Sequence, residues 1–132
     1  MFGSRAEFAL EFHVERDPGL LCVDIFVGGV HVNSWDNAFY PPLLVKKIKD
    51  ELGRLADGAS GYQFLEWGEC TDEVLVFAEA AGDRVHLDCR VHDGPRVAVD
   101  LSRTALVETL RRSLEIAERE WAARLAAIKV RN

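Results

Sequence analysis

Four histidines, three cysteines and one acidic run around a tryptophan are the parts of this sequence with chemistry to offer. A metal would need several of the histidines, or their carboxylate neighbours, within a few ångströms of one point. On an extended strand His86 and Asp88 share a face with their Cβ atoms ~7 Å apart, while His92 stands about 20 Å from His86. His13 and His31 belong to strands that flank a third, which puts them roughly 10 Å apart. No metal site is predicted. The cysteines Cys22, Cys70 and Cys89 are odd in number and form no Cys-x-x-Cys pair, so neither a disulfide framework nor a structural zinc is expected. Cys89 falls on the apolar side of its strand and reads as a small buried hydrophobe. Nucleophilic catalysis would want a Gly-x-Ser-x-Gly elbow or a cysteine set among glycines, and the sequence has neither. Gly28-Gly29 is too short for a phosphate cradle and no helix follows it directly. No cofactor is expected, and an enzyme is the lesser reading.

The acidic run is the better functional candidate. Glu66, Glu69, Asp72 and Glu73 surround Trp67, a large rigid side chain inside a field that would attract a basic surface. The competing reading points Trp67 inward at the end of a strand and leaves the acids as a solvated turn. Residues 61–100 hold nine acidic and three basic residues and the whole chain carries −6, so nucleic acid is excluded as the main partner and a basic protein is expected. No apolar stretch reaches the ~18 residues of a membrane span, and the first residues, Met1 to Glu7, lack an apolar signal core; the expected compartment is the cytoplasm.

The elements that would position these residues follow from periodicity. Val85–His92 alternates apolar and polar without a fault, a strand with one buried face that turns His86, Asp88, Arg90 and His92 outward. Val74–Ala80 before it and Val97–Leu101 after it complete a three-stranded meander. A first meander runs Ala6–Val14, with Glu7, Glu11 and His13 outward, a turn at Arg16–Gly19, then Leu20–Val27 and Val30–Val32 joined by Gly28-Gly29. Ser34–Pro42 is a connection whose Trp35, Phe39 and Tyr40 either plug the core's edge or form a recognition loop. Leu44, Ile48, Leu52 and Leu55 recur at helical spacing, giving a helix over Leu43–Ala56 that Pro42 starts and Gly58 stops. A joint over 57–61 and one further strand over Tyr62–Trp67 precede the acidic turn. Ser102 caps a long helix to Lys129, about 42 Å at ~1.5 Å per residue. Its stripe ends in Trp121, Leu125 and Ile128, which either cross the sheet or contact a second copy in a homodimer.

The predicted whole is a single α+β domain over 1–132: an antiparallel sheet of six or seven strands in two meanders, two helices on one face, in the order βββα(β)βββα. The run Tyr62–Trp67, a hairpin, then Leu87–Asp93 leading into a long helix resembles the small bacterial immunity proteins that neutralise polymorphic toxins, over about the C-terminal half. That resemblance implies a non-catalytic cytoplasmic protein that blocks a basic toxin domain, and no contact residue is carried over from it. On the sequence, the binding surface would comprise Glu66, Trp67, Glu69, Asp72 and Glu73, extended by His86, Asp88, Arg90 and His92. The alternatives are a small-molecule-binding domain or enzyme with a pocket between the sheet and the 34–42 loop, and a homo-oligomeric scaffold built on the C-terminal helix.

Overall fold

A computed structural model describes residues 2–13, 19–58 and 61–131, with side chains described as far as residue 127. The predicted turn at Arg16–Gly19 lies mostly outside the described residues, as do Val14 and part of the 57–61 joint. The strands are β1 (Phe2–Ser4), β2 (Phe8–His13), β3 (Leu21–Val27), β4 (Val30–His31), β5 (Ala38–Phe39), β6 (Tyr62–Phe64), β7 (Val74–Ala81), β8 (Arg84–Val91) and β9 (Arg96–Ser102); the helices are α1 (Pro41–Ala56) and α2 (Arg103–Arg131). The chain is α+β, wholly antiparallel in its pairing, with two helices, as the pattern predicts. The strands number nine among the described residues and divide between two sheets instead of extending one. The first has the order β1-β2-β3-β4 with β5 also on β3; the second is the meander β6-β7-β8-β9.

The division has local causes. Gly28 and Gly29 take φ of 56° and 86°, which reverses the chain into β4. A Cβ on Gly28 would come within 2.4 Å of Val97 Cγ2, so this turn sits hard against β9 and ties the two sheets together. β4 returns for only two residues because Asn33, fully buried, then stands in for a strand: its side chain accepts from Ile25 N at 2.9 Å and donates to Val23 O at 2.8 Å. β5 resumes the pairing opposite Leu21 and Cys22. In the second sheet the predicted strand over 62–67 ends at Phe64, because Leu65 turns the chain away with φ of 62°.

Both sheets and both helices feed one core. Phe8 of β2 meets Phe64 of β6 at 5.4 Å between ring centroids, and α1 packs along α2. α1 opens on Pro41, its backbone preset for a first turn, and ends where Asp57 N bonds Gly53 O. The expected cap of α2 is present: Ser102 Oγ accepts from Ala105 N at 3.3 Å. The stripe of α2 is buried at Leu106, Leu110 and Ala117, half-buried at Trp121, and 44% exposed at Leu125. Ile128's side chain lies outside the described residues.

Candidate functional site

The acidic run folds around a buried carboxylate. Glu51 falls on the apolar stripe of α1, three residues after Ile48 and four before Leu55, and is 1% exposed. Its Oε2 accepts from Leu65 N at 2.8 Å and from the Trp67 indole Nε1 at 3.3 Å; its Oε1 accepts from Arg54 Nη1 at 2.8 Å. Burial pushes this carboxyl above its ordinary range, against the opposing pull of these three donors. Trp67 is consequently 1% exposed and packs edge-on against Phe39, centroids 6.3 Å apart. Of the two sequence-based readings of Trp67, the interface anchor is corrected and the inward-pointing one holds: it is a core residue, drawn inward by the left-handed turn at Leu65 and by its own indole N–H. Beyond it, Thr71 Oγ1 accepts from Trp67 N at 3.0 Å and donates to Gly68 O at 3.2 Å, closing a short 3-10 turn over Glu69–Thr71.

With Trp67 tucked in, the loop presents its acids to a cleft of about 820 Å³ between α1 and the adjoining ends of β7 and β8. Glu66, Asp72, Glu73, Arg90 and His92 all line it, together with Lys47 from α1 and the apolar Leu43, Val74 and Leu75. Five of the nine predicted binding residues are thus brought together. Glu69 is exposed on the same loop and does not line the cleft. His86 and Asp88 stand further along the outer face of the second sheet, where His86 Nδ1 lies 3.1 Å from Asp100 and Arg96 grips Asp88 with bonds of 2.9 and 3.3 Å. Arg96 holds the Asp88 carboxyl below its ordinary value. Among the described residues Lys47, Glu66, Asp72, Glu73 and Arg90 form no ion pair.

Two side chains that sequence reasoning missed complete this face. Leu75 and Phe77 of β7 are 36% and 44% exposed. The signal was available in the register: Leu75 pairs with Arg90 and Phe77 with Asp88, so they share the face that the alternation of β8 turns outward. The pocket expected beside the 34–42 loop is not where this cleft lies; Trp35 and Tyr40 are exposed, and Phe39 plugs the core.

The outer face of the first sheet carries a second polar cluster. His13 Nε2 is 2.7 Å from Asp24 Oδ2, His31 Nε2 is 3.1 Å from Asp24 Oδ1, and Asn37 Nδ2 donates to Oδ1 at 2.9 Å. The two histidines thus face one carboxylate from either side. Burial pushes Asp24 upward, but the Asn37 and His13 bonds and the two imidazoles outweigh it and hold the carboxyl below its ordinary value. No three His, Cys, Asp or Glu side chains among the described residues are placed to hold a metal ion. The three thiols are buried; burial raises Cys70 to about 12 and Cys89 to about 11. No helix among the described residues is long and apolar enough to cross a membrane. Compared with protein families, curated proteins and solved structures, the chain matches none.

Proposed function

We propose that the chain is a non-catalytic binding domain for a basic protein and, most concretely, an immunity protein that neutralises a basic toxin domain in the bacterial cytoplasm. The observation that carries this reading is the pair Leu75 and Phe77, exposed on one charged sheet face, Leu75 lining the cleft and Phe77 two residues further along the same strand. Large apolar side chains ringed by polar ones are what an interface anchors on, and Phe77 takes the role the sequence suggested for Trp67. The three unpaired carboxylates of the loop supply the attraction for a cationic partner. Lys47 and Arg90, also unpaired, would fix its orientation.

The test is capture and identification of the partner, followed by affinity measurement on two variants. Phe77→Glu should abolish binding, while Arg111→Glu on the exposed side of α2 should preserve it. A partner that binds Phe77→Glu and Glu73→Lys as tightly as the wild type removes this surface from consideration. Co-expression protecting cells from that partner would establish the immunity role. Leu125, exposed near the end of α2, favours a second reading, self-association through that helix, which sedimentation at two concentrations decides.

A further inference from the structure

Leu65 is a γ-branched residue held at φ of 62°, a region that side chains other than glycine, asparagine and aspartate seldom enter. Such a conformation persists only where its surroundings impose it, and here the imposing group is a carboxylate that burial itself disfavours in the charged state. A strained backbone and a buried charge both lower stability, and they coincide at the wall of the cleft. Resting on the reading of that cleft as part of the binding surface, we propose that Glu51 is its positioning residue. Glu51 touches no ligand; by holding Leu65 N and the Trp67 indole on one oxygen it sets Glu66 and Gly68 on the cleft wall. Through Trp67 N and Thr71 Oγ1 the same hold reaches Thr71 and the start of the acidic turn. The wall is therefore built before a partner arrives, and binding spends no free energy ordering it.

A purely structural role would rest on charge, through the 2.8 Å contact with Arg54. A positioning role rests on reach. Glu51→Gln keeps the length of the side chain and a carbonyl oxygen for both N–H groups but loses the charge. Glu51→Asp keeps the charge but draws the oxygens back by one methylene. Hydrogen exchange of the Leu65 amide and the Trp67 indole N–H is measured by NMR on the full chain, with the Val85 and Leu87 amides reporting global opening. Positioning predicts that Glu51→Asp raises exchange at Leu65 and Trp67 about tenfold or more, because the shortened side chain no longer reaches either N–H, while Glu51→Gln, which keeps a carbonyl oxygen in place, stays near the wild type. The reverse order, or equal loss in both variants, overturns the proposal. A decalysine peptide then probes the acidic wall and should bind Glu51→Asp more weakly than Glu51→Gln. Equal binding to the two variants would reduce Glu51 to a structural role and overturn the positioning claim. Failure of the wild type to bind the peptide counts against the binding surface itself, while the order of exchange rates still decides Glu51.

Discussion

Trp67 and Phe77 should separate stability from binding. Trp67→Ala removes a side chain that is 1% exposed, its edge-on contact with Phe39 and one donor to Glu51. Truncating a buried tryptophan costs ~3–5 kcal/mol, and an aromatic pair adds roughly 0.5–1.5 kcal/mol. Glu51 Oε2 keeps Leu65 N, so no charge is orphaned and the hydrogen-bond contribution stays small. We expect about 4–5 kcal/mol in total, at least about a third of the margin of a domain stable by ~5–15 kcal/mol. The melting temperature should fall by about 12–20 °C at ~3–4 °C per kcal/mol for a chain this long. Phe77 is 44% exposed, so Phe77→Ala forfeits only the buried remainder, about 1 kcal/mol, yet it should cost most of the partner affinity. Urea unfolding followed by circular dichroism gives the first quantity and calorimetric titration of the captured partner the second. A Trp67→Ala protein that loses under ~2 kcal/mol while losing its partner would refute the reasoning, since that combination belongs to an exposed anchor.

Asp24 is held below its ordinary value, so the stability it contributes is complete above the unfolded-state pKa and disappears as pH falls through the folded one. Asp24→Asn should therefore flatten the loss of urea resistance below about pH 4; an unaltered acid limb would contradict this. Gly28→Ala meets both a positive φ and Val97 at 2.4 Å and should cost about 2–4 kcal/mol, whereas Gly29→Ala, with positive φ but open space, should cost about 1–2 kcal/mol. Equal costs would show that the turn does not press on β9. Cys70 and Cys89, raised to about 12 and about 11, should resist iodoacetamide at pH 8 until urea unfolds the chain, as mass spectrometry would record. Rapid native labelling of either would contradict its burial.

Both meanders were legible because alternation and turn residues are local properties: each strand of β7-β8-β9 lies close to where its apolar period ends. The parting into two sheets was not, since it depends on Asn33 replacing backbone partners of β3 and on the Gly28 turn closing over Val97. Short pairings such as β1 and β5 leave no period to read. Glu51 was visible in principle, at helical spacing from Ile48 and Leu55, but a charge on an apolar stripe declares its burial only when its donors are known. Two of the three come from a loop fourteen and sixteen residues away. Trp67 followed the general preference of large apolar side chains for the interior, the inward reading that its place at a strand end allowed, while the acids around it suggested the competing anchor. His13 and His31 were placed on flanking strands correctly, but the carboxylate of the strand between them was not considered as their shared partner.

The two outer sheet faces differ in a way that supports the proposed binding surface. On the first, Arg5 is paired with Glu11 and lies over the Phe26 ring, and both histidines lie against Asp24. These described charges are paired within the chain, and Phe26 is covered. On the second, His86 and Asp88 are answered by Asp100 and Arg96, but Arg90, the loop carboxylates and Lys47 are not, and Leu75 and Phe77 stand open beside them. Solvation alone would be served by either arrangement. The second leaves the exposed Leu75 and, among the described residues, unpaired charges of both signs on one cleft, so a partner covering it would gain burial at the strand and pairing at the rim together. In the proposed complex the charges there would set the rate and orientation of encounter and the two apolar side chains its lifetime, a division that follows from the range of each force. A buried Glu51 is consistent with this arrangement: it costs stability at the one wall where a fixed shape shortens the search for a fit.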